Sequence, residues 1–345
     1  MYHVGRNDEE LELEEIAMDK IKNSALVKAV GTQRLVALLA LIVLYLVFGL
    51  MNPRFATYNT LVNIFDASYY IGFMAIGICF VIATGGIDLS IGTVLTMAGL
   101  VSGFLSVQKG IPIWLAMIIC VMIGTIFGIA NGILVAKMGL PPFIATLGTM
   151  MLSKGIGSTI TGAQSVTWKA GTDAEGWYRI LFKWKTESGL LIPTGFILLI
   201  AAAVIMAIVL NKTRTGRYIL ALGSNKEATR LSGVNVDKYL IIAYIISGTF
   251  AGIAGLAYAT IYSTLLPGGG GGFEMDAIAG VVIGGTSMTG GVGTIAGTMI
   301  GVFIISILKT GLPFVGLQTH FQQIATGIVL IIAVFADVYR SRKKN

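Results

Sequence analysis

Residues 196–210 read Phe-Ile-Leu-Leu-Ile-Ala-Ala-Ala-Val-Ile-Met-Ala-Ile-Val-Leu. The run contains no charge, no Pro and no alternation of polar with apolar side chains. A strand of a membrane barrel would alternate over about ten residues. A surface helix of a soluble bundle would return a polar side chain every turn. What remains is a helix sealed in lipid, where every backbone group must be paired within the segment. Leu35–Leu50 reads the same way. Nine stretches of 16 residues or more carry no Asp, Glu, Lys or Arg: 35–53, 67–87, 89–108, 110–136, 138–153, 188–211, 239–273, 277–308 and 310–336. Most reach the ~20 residues that a spanning helix needs.

Composition agrees. Of 345 residues, 55% are hydrophobic and 12% charged, against about 25% charged in soluble domains. The chain therefore reads as an all-α polytopic membrane protein. Helices are expected at about 35–51, 68–84, 88–107, 112–136, 142–160, 190–210, 239–262, 276–288, 293–309 and 320–337. The eighth is too short to span and reads as a half-membrane helix. Net charge is +7. In a soluble protein that would raise nucleic acid as a partner; here the positive-inside rule explains it without one. With both termini placed in the cytosol, 16 of the 24 basic side chains fall on that side. Six of them stand in the single loop 211–238.

Three regions follow. Residues 1–33 hold seven acidic side chains and read as a cytosolic extension with a short surface helix around Glu9–Lys22, not as a signal peptide. Residues 34–339 form the transmembrane domain, and 340–345 a basic cytosolic tail. The longest outer loop, 161–189, carries Trp168, Trp177, Tyr178 and Trp184. It reads as an interfacial aromatic belt, or as a contact surface for an extracytoplasmic partner. Cys79 and Cys120 lie in apolar runs and read as small buried side chains. No residue spacing suits a catalytic triad or a metal.

Glycine is abundant, at 45 residues. Much of it is spaced by four, as in Gly124-Gly128-Gly132, Gly248-Gly252, Gly280-Gly284 and Gly293-Gly297-Gly301. Such stripes let membrane helices approach closely. The run Gly268–Gly272 cannot hold a helix and reads as a hinge or a close backbone approach. No Gly-Lys dipeptide occurs, so no P-loop is present.

The loop 211–238 contains a bounded helix. Ser224 and Glu227 have capping-box spacing, and Gly233 suits a left-handed helix stop. Ala228, Leu231 and Val234 would present a small apolar face, flanked by Glu227 and Arg230. That face suits a docking knob or an ordinary solvated surface. Elsewhere, acids stand at helix breaks. Asp88 follows Gly85-Gly86, with Ser90 beside it; Glu274 and Asp276 follow the five glycines. Each reads as a helix cap or as a polar group on a translocation path, since broken helices line cavities in transporters. Asp66 and Lys309 read as snorkelling side chains, and His320 faces the outer interface.

These residues carry a resemblance. Glu227-Ala228-Thr229 followed by Gly233 resembles the Glu-Ala-Ala…Gly coupling loop of ABC importer permeases, with Thr229 in place of a second Ala. Thr213–Val236 resembles that loop in ribose and simple-sugar permeases. So do Gly85–Gly92, Pro142–Gly148, Glu274–Ala279, Gly284–Ser287 and Gly290-Gly291. The match runs in order from about residue 40 to 340. The resemblance implies a permease subunit of the bacterial inner membrane, paired with a second copy as a homodimer. It implies a cytosolic ATPase subunit that holds the ATP and Mg, and an extracytoplasmic sugar-binding protein. Glu227, Ala228, Thr229, Arg230 and Gly233 would couple to the ATPase, and Asp88, Ser90, Glu274 and Asp276 would line the path. An ion- or proton-coupled carrier using Asp88 or Asp276 is the competing class.

Overall fold

A computed structural model describes residues 32–169 and 175–344. The acidic extension and its expected helix at Glu9–Lys22 lie outside the described residues. Among those described, twelve α-helices follow in order: α1 (Thr32–Met51), α2 (Tyr58–Ala83), α3 (Ile91–Lys109), α4 (Ile113–Ala136), α5 (Pro142–Ile160), α6 (Thr194–Lys212), α7 (Arg214–Ser224), α8 (Lys226–Leu231), α9 (Val236–Tyr262), α10 (Phe273–Ile283), α11 (Ile295–Phe314) and α12 (Thr319–Lys344). Eight are long and apolar enough to cross a membrane. Of the rest, α5 is a more polar helix of 19 residues and α10 a half-helix of 11.

The bundle has a concentric plan. The apolar window of α2 is 94% buried, that of α1 only 11%. Around α2 pack α9, α11 and α10, with α3 buried on the far side of α9; α1, α4, α6 and α12 turn apolar faces outward. Ile197, Ile205, Ile208, Val43 and Leu50 are all exposed. In lipid this outward apolar surface carries no penalty, because hydrocarbon replaces the missing protein neighbours.

The glycine stripes sit where backbones meet. A Cβ on Gly128 would stand 3.1 Å from the Cα of Gly248, and one on Gly252 would stand 2.7 Å from the Cα of Val121. So α4 and α9 cross at contact. Gly280 and Gly284 make the equivalent seam with Gly301 and Gly297. Gly293 stands outside its stripe, in the turn before α11. Cys79 and Cys120 are buried free thiols.

Several boundaries differ from expectation: α10 ends at Ile283 against an expected 288, α11 runs to Phe314 against 309, and α12 to Lys344 against 337, through the stretch expected as a tail. Helix α2 starts at Tyr58, ten residues early, because Thr57 caps it and the carboxylate of Asp66 is held by Lys183 at 2.5 Å instead of ending the helix. Helix α7 was not expected, since its sequence lacks a long apolar run; Thr213 caps it through a bond from the Gly216 N–H.

One end of the bundle carries residues 212–235 and is called the basic end; the other carries 161–193 and is called the aromatic end. At the aromatic end two short antiparallel pairs tie the loops down: Val166–Thr167 with Thr264–Leu265, and Trp184–Lys185 with Leu191–Ile192. The aromatic residues there divide. Trp177 and Trp184 are about half exposed, but Trp168 and Tyr178 are each 2% exposed, so a belt of all four does not form. Trp168 donates from Nε1 to the Gly99 carbonyl at 2.9 Å, in space that a side chain at Gly103 would fill. Lys169 bonds Glu175 and holds its carboxyl below the usual range.

Candidate functional site

Helices α7 and α8 form a unit at the basic end. The expected Ser224–Glu227 box does not form, because Ser224 closes α7. Asn225, one residue on, adopts an extended backbone and caps α8 by accepting the Ala228 N–H at 2.9 Å. Thr229 turns inward and is buried, its Oγ1 donating to the Asn225 carbonyl at 2.8 Å. Gly233 ends the unit at φ +79°, the left-handed stop expected of it. Glu227, Ala228, Arg230 and Leu231 are exposed, Leu231 at 87%. Val234 is half-buried and adds little to that face.

The base of this unit is held tightly. Gly223 packs directly on the Ala83 carbonyl at the end of α2 and on the N–H of Gly291. Gly291 in turn donates to the same Ala83 carbonyl at 3.0 Å. Leu222, Val236 and Leu240 close a small apolar cluster behind it. A knob projects outward, and its root touches the ends of two membrane segments.

The acids at the helix breaks lie deep. After α2 the chain turns back along residues 84–90, so Asp88 meets Ser247 near the middle of α9. Asp88 is 1% exposed. Its Oδ1 accepts the Ser90 N–H at 3.0 Å and the Ser90 hydroxyl at 2.6 Å; its Oδ2 accepts the Ser247 hydroxyl at 2.7 Å. Asn131 donates to Ser90 Oγ at 2.9 Å, and Thr149 donates to Asn131 Oδ1 at 2.7 Å. One buried chain of hydrogen bonds thus joins α9, the 84–90 segment, α4 and α5. Ser153 adds a link from α5 to Thr93 of α3 at 2.7 Å.

The second break faces the first. Residues 268–272 run back along α3, with Gly270 against Gly92 and Thr96. A Cβ at Gly92 would stand 2.6 Å from Glu274 Oε2, so the missing side chain makes room for that carboxylate. Glu274 accepts the Gly272 N–H at 3.0 Å, capping its own half-helix. Lys154 Nζ lies 3.3 Å from where a Cβ on Gly271 would stand. The starts of α3 and α10 therefore converge inside the bundle, bringing Ser90, Asp88 and Glu274 to one region.

Asp276 lies on another side of α10. It pairs with Lys309 Nζ at 2.5 Å and is 5% exposed. Lys309 also lies 5.6 Å from the ring centre of Phe273 and 5.8 Å from that of Tyr70. The snorkelling expected of Asp66 and Lys309 is thereby corrected: both turn inward, each onto an opposite charge. Their partners are remote in sequence, 117 and 33 residues away, which hid them. Ser247, Asn131 and Thr149 were missed for another reason. They are uncharged side chains inside apolar runs, and their partners lie on other helices, so Asn131 stands out in the sequence only as a polar interruption. His320 is exposed as expected.

Breaking the Lys309 pair should be costly. Lys309→Met is expected to lower the thermal stability of the detergent-solubilised protein by about 3 kcal/mol, since it strands a buried carboxylate. The double variant with Asp276→Asn should recover most of the loss. Additive losses would show that the pair is not coupled.

Residues 60–334 match a family described as branched-chain amino acid transport system / permease component. The chain belongs to this family. It is similar to the ribose import permease protein RbsC of Haemophilus influenzae, at 37% identity over 89% of this chain and 93% of that protein. It is likewise similar to RbsC of Bacillus subtilis, at 36% over 91% and 94%, and to the fructose import permease protein FruG of Bifidobacterium longum, at 32% over 88% and 90%. No solved structure matches. The protein is thus a multi-pass inner-membrane permease, a transport component and not an enzyme in its own right.

Proposed function

We propose that this chain is the membrane subunit of an ATP-driven ABC importer that carries a ribose-type monosaccharide delivered by an extracytoplasmic binding protein. The observation that carries the reading is the α7–α8 unit. It offers Glu227, Ala228, Arg230 and Leu231 outward, and its root bears through Gly223 on Ala83 and Gly291. A cytosolic ATPase that grips the knob moves α2 and the 284–294 turn as bodies, because close-packed contacts transmit displacement instead of absorbing it. Thr229 serves from inside, by fixing the knob's shape. The sugar class rests on the ribose and fructose relatives. A second copy of the chain completes the channel through α5, where Gly148 and Gly155 have no neighbour within 4 Å and Met151, Leu152 and Ile156 are exposed. ATP and Mg belong to the ATPase partner. The basic end is then cytosolic.

The test is uptake of labelled D-ribose into proteoliposomes holding the permease, its ATPase and its binding protein. Uptake should require ATP. Uptake that survives loss of the ATPase and collapses with the ion gradient would establish a secondary carrier instead. Gly233→Val should lower uptake by roughly an order of magnitude with normal membrane levels, since a β-branched residue strains the left-handed position by about 1–2 kcal/mol. Nothing lies within 4 Å of that Cβ, so the strain is local and folding is spared. Normal uptake by this variant would count against the coupling role.

A further inference from the structure

Two cavities of about 380 and 400 Å³ lie side by side between α2, α9, α10, α11 and α12. Lys309 and Gln322 line both, so the two adjoin at these side chains as one lined region. It begins beside Lys183 and Asn63, near the aromatic end, and reaches Gly271 and Gly272 at the start of α10. We propose that this space is a subsite of the permease itself for one neutral, hydroxyl-rich monosaccharide, held by Asp66, Lys309 and Gln322 against the ring of Tyr262. The proposal rests on the importer reading above and adds to it a place in this chain where the sugar stops.

Size is the first support, since small-molecule pockets run to roughly 300–1,000 Å³. Charge is the second. The four charges of the lining are matched in two pairs, Lys183 with Asp66 and Lys309 with Asp276, each at 2.5 Å. An ionic solute would have to break a pair to be held, at the cost of stranding the other member. A neutral polyol adds hydrogen bonds to the pairs without disturbing them.

A carboxylate acceptor is the third support. Asp66 Oδ2 holds Lys183 in the cavity lining, and a carboxylate oxygen has lone-pair capacity for a second donor such as a sugar hydroxyl. The amide groups of Gln322 and Asn63 add both donors and acceptors on the same wall. Aromatic rings are the fourth. Tyr70 and Tyr262 line the cavity with ring centres 6.0 Å apart, and Tyr70 packs on Tyr258 and Phe273 at 5.3 Å each. Tyr70 is itself buried and serves to fix the cluster, whereas Tyr262 is 45% exposed and offers its ring to the C–H face of a sugar while the polar groups take the hydroxyls. The ring cluster also keeps Lys309 in place.

The test uses the full chain in membrane vesicles with its ATPase and binding protein present. Thr310→Cys, in the lining of the same cavity but not among the side chains proposed to hold the sugar, is labelled by a charged, membrane-impermeant methanethiosulfonate; the buried Cys79 and Cys120 provide a silent background. D-ribose or D-fructose at tens of millimolar should slow labelling about threefold, the protection expected at two-thirds occupancy. L-leucine should not. Adding Asp66→Asn should weaken the protection, read as the ratio of labelling rates with and without sugar so that the effect of the lost charge on the reagent cancels. Protection by L-leucine alone, protection by no probe, or a cysteine that cannot be labelled would each overturn the subsite. ATP-driven uptake is read in the same vesicles. Uptake without protection sinks the subsite and leaves the importer standing; protection without uptake does the reverse.

Discussion

Gly248→Leu is expected to leave almost no folded permease in the membrane. A Cβ at this position stands 2.6 Å from both the N and the Cα of Gly128 and overlaps the Gly124 carbonyl. All three obstacles are backbone, so no rotamer change relieves them. Helices α4 and α9 would have to separate along the most extensive helix contact in the molecule. Overpacking of a close-packed interior costs roughly 1–3 kcal/mol where side chains can shift, and more where they cannot. Set against a total stability of about 5–15 kcal/mol, added leucine branches at a backbone crossing exhaust much of it. The measurement is the monodisperse fraction of a fluorescent fusion after detergent extraction, compared with Gly327→Ala. Gly327 has open space around its Cβ and should tolerate the change. Wild-type levels of Gly248→Leu would mean that the two helices do not meet at these glycines.

Asp88→Ala should lower uptake at least about tenfold, while Asp88→Asn stays within about twofold of the parent. Alanine leaves the Ser90 N–H, the Ser90 hydroxyl and the Ser247 hydroxyl without their acceptor, deep in the bundle. Each stranded donor costs about 1–3 kcal/mol. The loss falls on the segment that sets where α3 begins, opposite Glu274. Asparagine repairs it. Its oxygen takes over the two bonds from Ser90, and its amide donates to the Ser247 hydroxyl, which has lone pairs to accept. The pair of variants also separates two mechanisms. A carrier that moves a proton or an ion on Asp88 would lose uptake in Asp88→Asn as completely as in Asp88→Ala. Uptake by both variants, measured at equal membrane levels, decides the matter.

Most of the architecture was legible in the chain because a bilayer makes sequence and structure nearly synonymous. A charge-free run such as Phe196–Leu210 has one stable form in lipid, and α6 spans Thr194–Lys212. The half-helix after the five glycines was legible too, as was the left-handed Gly233, whose φ of +79° only glycine adopts without strain. The short helix α8 at the basic end was readable in position but not in detail. Its cap moved from Ser224 to Asn225, since the unforeseen α7 had already used Ser224.

The polar interior was the part that could not be read. Asp66 and Lys309 looked like interfacial charges because each stands alone in an apolar helix. Whether such a side chain snorkels outward or turns inward depends on what faces it, and Lys183 and Asp276 reach them only after folding. The same holds for Asp88, whose ligands come from the 84–90 segment and from α9 and, through Ser90, from α4 and α5.

Sequence alone thus determined the class, most of the spans and the short capped helix in the 211–238 loop of this permease. Those depend on the solvent a segment meets and on local backbone preferences, both written residue by residue. Tertiary structure alone decided which helices touch, that the starts of α3 and α10 converge, and that the scarce charges are matched in pairs around a cavity. Those are pairings between residues far apart in the chain, and glycine's missing Cβ, which lets backbones meet, leaves no trace of the partner it will meet.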